Sequence, residues 1–226
     1  YHERLLNADD LIDFLPDMIR LQDEPIADPV CVPLYYVSKL AKENDVTVCQ
    51  VGEGADELFW GYDKIFRWAN LSKTMQINEF DKKYCYGSHR DDEVLDFALN
   101  DIPGDSVLDK IAYFFQIYHL HGLLRRVDNS TMMCSVEARV PFVDHRLIEL
   151  IAGTSFEWRV GKSIKEPLKR LFSGIIPEET IDRKKVGFPV PLDDIFSNQD
   201  KGSTPMDKWL NYNLTTINSS SLFSKK

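Results

Sequence analysis

The stretch VCQVGEGADELFWGY (Val48 to Tyr62) joins an apolar segment to a glycine turn and an acidic, aromatic run, and the fold assignment starts from it. Residues 45–51, DVTVCQV, are short, rich in β-branched side chains and almost continuously apolar, which predicts a buried strand of a parallel sheet. Residues 52–54 turn the chain, and we expect one helix from about Ala55 to Trp68. A strand, a glycine turn and a helix start together form a common anion site, because free backbone N–H groups point at the ligand.

The turn also carries three carboxylates, Glu53, Asp56 and Glu57, where a bound phosphate would lie. No Walker A loop is present, and a lone G-x-G is weak evidence for a dinucleotide site. On spacing alone, the carboxylates could equally serve only to stabilise the start of the helix. If a nucleotide binds here, its phosphates need a divalent cation between them and the carboxylates. Mg²⁺ is usually held by one or two carboxylates plus phosphate oxygens, so this reading predicts ATP with Mg²⁺ at Asp56.

Basic residues further along the chain could supply the opposite charge. In GKSIKEPLKRL, Ser163 and Glu166 predict a capping box that places Lys165 in the first helical turn, and Lys162 lies just before it. A lysine at that end of a helix is unfavourable unless an anion is near. The loop DRKKVGFPVP adds Lys185 and its basic neighbours. Taken alone these lysines are typical of a solvated surface, but beside an acidic glycine turn they favour a clamp on phosphate.

Helical patterns dominate the rest of the chain. A helix is expected over 7–22 with Asn7 as its N-cap, and a second from Asp28, as its cap, to about Glu43. Residues 70–106 predict short surface helices and loops, and 105–133 a helix broken near Gly122. We therefore predict an α/β fold with many helices and few parallel strands. Residues 1–197 are expected to form the domain and 198–226 a polar C-terminal segment.

Composition narrows the classes of function. The formal charge is −9, from 27 Lys and Arg against 36 Asp and Glu, which argues against nucleic acid or anionic membranes as partners. No apolar run has the length of a membrane span. The four cysteines show no metal-binding spacing, so we expect reduced thiols in a cytoplasmic protein. We expect His119 and His121 to be packing or surface residues, and Glu137 and Arg139 to form a structural ion pair.

Three segments in chain order resemble the asparagine synthetase family and its relatives. VGEGADELFWGY looks like the family's S-G-E-G-x-D-E signature, and SVEARVPFVD resembles its E-x-R-x-P-F-[LV]-D segment. KEPLKRLFSGIIPEETIDRKKVGFPVPL resembles the stretch that carries the family's K-x-x-L and G-F-x-x-P motifs. The resemblance spans about residues 2–192. It implies an adenine-nucleotide alpha-hydrolase-like (ATP pyrophosphatase) domain, which adenylates a carboxylate, typically the side chain of aspartate, and lets ammonia displace AMP.

The resemblance also implies roles for individual residues. Glu53 matches the glutamate that handles the acyl-adenylate, Asp56 an Mg²⁺ ligand, and Lys165 the lysine that stabilises the phosphoryl group and pyrophosphate. Val51 stands where the family usually has serine, which removes a hydroxyl but not a backbone contact. The expected catalytic residues are Glu53 and Lys165, the expected metal ligand is Asp56, and the expected nucleotide-binding residues are Val51, Gly52, Gly54, Glu57, Lys162 and Lys185.

Two parts of the family pattern do not occur in this sequence. The S-G-G-x-D-S pyrophosphate loop is absent, and so is the glutaminase half that releases ammonia from glutamine. We therefore expect a fragment of a longer synthetase, or a chain completed by a partner, with aspartate, ATP and ammonia as substrates. The open alternatives are an amidotransferase acting on a sugar acid or peptide, and a non-catalytic nucleotide-binding module. A homodimer also stays open.

Overall fold

A computed structural model describes residues 1–22, 28–85, 92–183, 187–188, 190–196 and 204–219. Helices make up most of this part of the chain, and two short strands form its only regular sheet. The predicted class, α/β with many helices and few parallel strands, is confirmed. No helix in the described ranges combines the length and the apolar character needed to cross a membrane.

The elements follow one another with short connections. In chain order they are α1 (Ala8–Leu21), α2 (Cys31–Glu43), β1 (Val48–Gln50), α3 (Ala55–Leu58), α4 (Asp63–Leu71), α5 (Ile77–Tyr84), α6 (Asp92–Asp101), α7 (Val107–Phe114), a π-helical turn (Phe115–His119), α8 (Leu120–Met132), β2 (Glu137–Arg139), a 3₁₀ turn (Pro141–Val143), α9 (His145–Ala152), α10 (Phe156–Val160), α11 (Glu166–Phe172), α12 (Glu178–Asp182), α13 (Leu192–Ile195) and α14 (Pro205–Ser219).

The two strands are parallel, with Cys49 opposite Ala138 in the centre of the pairing. The parallel arrangement predicted for β1 is confirmed, but the predicted burial is wrong. Val48 is 49% exposed, and the side chains on the same face of β1 and β2 are exposed as well. Within the described residues no further strand or helix covers that face. The sequence did not predict β2, because Glu137–Arg139 contains no β-branched or aromatic residue.

The first two helices test the predictions about helix starts. Asn7 caps α1 as predicted, since its Oδ1 accepts from the Asp10 N–H at 2.9 Å and the Asp10 carboxylate accepts from the Asn7 N–H at 3.1 Å. α2 begins at Cys31, later than predicted. Asp28 lies in the turn before it and accepts a hydrogen bond from the Val30 N–H at 2.9 Å, so it stabilises the approach to the helix and not its first turn.

One helix expected to be continuous is interrupted, and the break expected in another lies elsewhere. The helix predicted over Ala55–Trp68 is two helices, because Trp60 has a positive φ of 53° and its ring is buried against Phe66 at 5.2 Å. The break predicted near Gly122 is also wrong. The irregularity lies earlier, in the π-helical turn Phe115–His119, and α8 runs through Gly122 without a break.

The buried apolar side chains form three clusters. The largest joins α4, α5, α6 and α7 around Phe66 and Phe80, so the polar stretch 70–106 contributes core residues as well as surface. The second joins α1, α2, α13 and α14 around Met18 and Trp209. The third is small and packs α3 on α9. Residues 205–219, from the segment predicted to be polar, thus form a helix packed on α1, while the boundary at residue 197 stays a prediction.

Candidate active site

The glycine turn after β1 is fixed by contacts on one side and open on the other. The Val51 N–H donates to the Arg139 carbonyl at 2.9 Å, which continues the strand pairing into the turn. Gly54 has φ +93°, and a Cβ there would lie 2.7 Å from Val143 Cγ2, so the turn packs closely on the 3₁₀ turn. A Cβ on Gly52 would meet nothing within 4 Å. The space beside Gly52 is where a ligand could approach the backbone.

The helix that follows this turn is much shorter than predicted. α3 has four residues, Ala55–Leu58. The macrodipole of a helix arises from many aligned peptide units, so α3 offers little of the helix-start attraction for phosphate that the sequence suggested. Positive charge for a phosphate must therefore come from side chains.

Lys165 supplies such a charge. Its Nζ lies 2.8 Å from Asp56 Oδ1, and the two side chains are 25% and 23% exposed. Gly61 lies directly beneath this ion pair, since a Cβ on it would be 1.6 Å from Asp56 Oδ1 and 2.6 Å from Lys165 Cε. The structure thus brings together the predicted metal ligand and the predicted catalytic lysine, which are far apart in the sequence.

The local structure around Lys165 differs from the predicted capping box. Lys165 is itself the N-cap of α11 and has a left-handed backbone conformation, with φ 57°. The Ser163 hydroxyl donates to Glu166 Oε2 at 2.9 Å and caps no backbone N–H. The box was wrong because the turn at Lys165 separates Ser163 from the helix, which directs the Lys165 side chain towards Asp56.

The structure does not bring Lys162 to this ion pair. Lys162 is exposed, and no contact between it and the glycine turn is found in the described part of the chain. Lys185 lies outside the described residues. Arg183, at the end of α12, is also exposed.

Glu53 points to a different partner. Its Oε1 accepts a hydrogen bond from Arg126 Nη2 at 3.1 Å, and the Glu53 side chain is 17% exposed. The other end of the same guanidinium forms an ion pair with Asp28. Sequence reasoning missed Arg126, which lies on α8 in LLRRVDN, and nothing but its place in a helical pattern marked it.

Glu57 was expected to contact the nucleotide, but its carboxylate is turned into the protein. The residue is 1% exposed and accepts a hydrogen bond from the Tyr62 hydroxyl at 2.6 Å. Burial raises the pKa of Glu57 above its usual value, and the bond from Tyr62 offsets part of that rise. His119 lies beside this pair, 3.1 Å from the Tyr62 hydroxyl and 3.0 Å from the Tyr84 hydroxyl. The prediction that His119 is a packing residue is confirmed.

The segment SVEARVPFVD packs beside the glycine turn. Arg139 Nε lies 2.8 Å from Glu137 Oε1, which confirms the predicted ion pair, although both side chains are exposed. Phe142 packs edge-on against Phe59 with ring centroids 6.4 Å apart. The second contact holds the 3₁₀ turn against the end of α3.

The donor set suits a cation shared with a substrate. Within the described residues, no three His, Cys, Asp or Glu side chains come together in a way that could hold a metal ion by themselves. Asp56 is a single, partly exposed carboxylate that follows the glycine turn, and the open side of that turn is at Gly52. One carboxylate plus phosphate oxygens and water is the usual way in which Mg²⁺ is bound beside a nucleotide. The residues present therefore fit Mg²⁺ as the companion of a polyphosphate.

Comparisons with known proteins find relatives of this chain. A sequence profile described as asparagine synthase matches residues 1–211. Asparagine synthetase [glutamine-hydrolyzing] 1 of Bacillus subtilis is 27% identical over 258 residues, with 92% of this chain and 39% of the relative aligned. Asparagine synthetase [glutamine-hydrolyzing] 3 of the same organism is 28% identical, covering 84% of this chain and 34% of the relative. A relative of that name from Mesocricetus auratus is 28% identical, with 83% and 29% aligned. The chain therefore spans well under half of the length of these relatives.

Proposed function

Because the chain belongs to the asparagine synthase family, we propose that it is the amide-forming part of an ATP-dependent ligase that converts aspartate to asparagine. The carboxylate of the aspartate side chain attacks the α-phosphorus of ATP, pyrophosphate leaves, and ammonia then displaces AMP from the acyl-adenylate. The observation that carries the proposal is the ion pair of Asp56 and Lys165 beside the open glycine turn. The proposed fold is that of an ATP pyrophosphatase domain.

Asp56 and Lys165 carry charges opposite to those of Mg²⁺ and phosphate. Asp56 would hold Mg²⁺ in place of the Lys165 ammonium, and Lys165 would bind phosphate oxygens in place of the Asp56 carboxylate. Bound Mg²⁺ supplies charge neutralisation at the phosphoryl oxygens. The Lys165 ammonium donates hydrogen bonds to oxygens that gain negative charge as pyrophosphate leaves, which lowers the barrier to that step.

We propose that Glu53 acts in the second step. Its carboxylate is partly exposed and lies in the turn just before α3, which carries Asp56, but it is bound to Arg126 and not to Lys165. A carboxylate at this position can take the proton that ammonia loses as it attacks the acyl carbon. The backbone of Val51 and Gly52 is the proposed nucleotide contact, since the space beside Gly52 is open. Lys162 and Lys185 remain proposed phosphate contacts with less support.

The nitrogen source and the acceptor belong to the whole protein. The names of the Bacillus relatives point to glutamine as their nitrogen donor. We propose that ammonia is released from glutamine by a glutaminase domain in the rest of the longer protein or on a partner chain. A sugar acid or a peptide carboxylate is the second candidate acceptor, because the roles proposed for Asp56 and Lys165 concern ATP and would be the same for either acceptor.

The proposal is tested by pyrophosphate release from ATP in the full-length protein with Mg²⁺, aspartate and an ammonium salt. Lys165→Ala is expected to lower kcat by about 10²- to 10³-fold, because one preorganised donor to the transition state is lost. Lys169→Ala, on the same helix, is the matched control and is expected to keep kcat within about twofold. Pyrophosphate release with another carboxylate but not with aspartate would reject the asparagine assignment. No release with any carboxylate would favour a non-catalytic module.

A further inference from the structure

Arg126 is a buried cation that links three segments far apart in the sequence. It lies on α8, is 9% exposed, and contacts two carboxylates through the two terminal nitrogens of its guanidinium. One nitrogen donates to Asp28, ahead of α2, and the other donates to Glu53 in the glycine turn. A planar guanidinium with both ends occupied is held in one orientation, which a lysine ammonium would not be.

The far end of this arrangement is itself anchored. Asp28 Oδ1 accepts from the Val30 N–H at 2.9 Å while its other oxygen accepts from Arg126. α2 and α8 pack against each other, so Asp28, just before α2, and Arg126, on α8, belong to neighbouring elements. Glu53 is therefore held by Arg126, which Asp28 holds in turn, although the space beside the neighbouring Gly52 is open.

The charges around the turn are separated into two sets. Asp56 pairs with Lys165, and Glu53 pairs with Arg126. Without Arg126, Glu53 would lose the hydrogen bond that fixes it and could turn towards the Lys165 ammonium. A partly buried carboxylate without its cation is also costly, so it would adopt another position. In the structure the proposed catalytic carboxylate is therefore paired with Arg126, and the lysine proposed to bind phosphate is paired with Asp56.

We propose that Arg126 is a positioning residue that holds the Glu53 carboxylate for reaction with ammonia and keeps it from pairing with Lys165. Asp28 orients the Arg126 guanidinium. This inference rests on the proposed function, since it gives Arg126 a role through Glu53 and no contact with substrate. A residue that only ties helices together would give the same contacts, so the test must separate the two roles.

A double-mutant cycle on kcat separates them. It uses the full-length protein with ATP, Mg²⁺, ammonium and whichever carboxylate supports pyrophosphate release. Arg126→Gln is expected to lower kcat about 10²-fold, because a misplaced reacting group costs about that much, with little change in the KM for ATP. In a Glu53→Gln background the same substitution is expected to change kcat by no more than about threefold, since residues acting as one unit are non-additive.

Two further variants test the geometry. Arg126→Lys keeps the charge but not the planar fork, and is expected to recover part of the lost kcat. Arg125→Gln removes the same charge from the adjacent position of α8, where the side chain lines a surface groove with His121 and Asp128. It is expected to leave kcat within about twofold of wild type. If Arg126→Gln does not fold, Asp28→Asn takes its place in the cycle, with a smaller loss that must likewise disappear in the Glu53→Gln background.

The outcomes are distinct. An equal loss of kcat from Arg126→Gln in the wild-type and Glu53→Gln backgrounds would overturn the positioning role. An unchanged kcat in Arg126→Gln would overturn it as well. A Glu53→Gln variant with the wild-type kcat would overturn it together with the role of Glu53. A preference for a carboxylate other than aspartate would reject the asparagine assignment alone, because the cycle can be completed with that carboxylate.

Discussion

At the scale of single residues, the site depends on Gly61 as much as on the charges above it. Asp56 and Lys165 can meet at 2.8 Å because the space beneath them holds no side chain. Any Cβ at Gly61 would overlap the carboxylate oxygen, and backbone on the same turn limits how far Asp56 can move away, since the Gly61 N–H donates to the Asp56 carbonyl at 2.9 Å. A glycine at this position is a requirement of close approach and not of an unusual φ.

Gly61→Ala is therefore expected to displace Asp56 and Lys165 and to lower kcat for pyrophosphate release by about 10²-fold. Gly122→Ala is the matched control, because Gly122 lies at an exposed position within α8 and a Cβ there would meet nothing within 4 Å. The control is expected to keep kcat and to raise the free energy of unfolding by about 0.5–1 kcal/mol. Wild-type kcat in Gly61→Ala would show that the ion pair is not needed for catalysis.

The sequence motifs predicted two charged residues that meet in the structure, but they did not predict where the neighbouring carboxylates point. Asp56 and Lys165 are marked by motifs, and the structure brings them together. Glu57 belongs to the same motif, but its carboxylate is buried under Tyr62, which depends on how α3 packs and not on any local pattern. Arg126 could not be predicted at all, because its two partners lie 98 and 73 residues away in the chain.

At the scale of elements, helix starts were predictable where the cap is purely local. The capping box of α7 joins Ser106 and Asp109 by hydrogen bonds in both directions, like the box at Asn7. The same four-residue pattern at Ser163 and Glu166 forms no box, since Lys165 leaves the helical conformation between them. The spacing of Ser163 and Glu166 cannot reveal that Lys165 has a left-handed backbone conformation and pairs with Asp56, which is distant in the sequence.

The two serines should therefore differ in what they contribute to stability. Ser106→Ala is expected to lower the free energy of unfolding by about 1 kcal/mol, because the Asp109 N–H loses its acceptor. Ser163→Ala removes a side-chain contact only, and is expected to cost less than about 0.5 kcal/mol. Urea denaturation of the two variants beside wild type measures both. A larger loss for Ser163→Ala would mean that the capping box forms in solution.

Helix interruptions were the least predictable feature of the elements. Trp60 breaks the expected helix because burying its ring against Phe66 and beneath the Arg159 guanidinium requires a positive φ. The π-helical turn at Phe115–His119 places His119 between Tyr62 and Tyr84. Both irregularities depend on tertiary contacts, and periodicity along the chain carries no information about them.

At the scale of the whole molecule, the chain buries three apolar clusters, but one face of its two-stranded sheet is exposed. β1 and β2 form a two-stranded sheet with one exposed face, whereas parallel sheets are normally covered on both faces. The chain spans 39% or less of the length of the relatives reported above. The general fold class was predictable from the many helical segments. The exposure of β1 was not predictable, because an apolar strand has the same sequence pattern whether or not other elements cover it.

The C-terminal helix should contribute substantially to the stability of the second cluster. Trp209 of α14 is 1% exposed and packs with residues of α1 and α13. Trp209→Ala is expected to lower the free energy of unfolding by about 3–5 kcal/mol, through lost burial and the cavity left behind. Leu214→Ala, at a position of α14 that is 56% exposed, is the control and should stay within about 0.5 kcal/mol of wild type. Equal effects of the two substitutions would contradict the packing of α14 on the domain.

The central claim is that the site forms an amide through an acyl-adenylate, and oxygen transfer tests it most directly. The full-length protein is given ATP, Mg²⁺, ammonium and aspartate whose side-chain carboxylate carries ¹⁸O. If that carboxylate attacks the α-phosphorus, one labelled oxygen leaves with AMP when ammonia displaces it. Mass spectrometry of the products is expected to find a single ¹⁸O in AMP, with that transfer lost in Lys165→Ala. Unlabelled AMP, or ADP and phosphate as the products, would contradict the account.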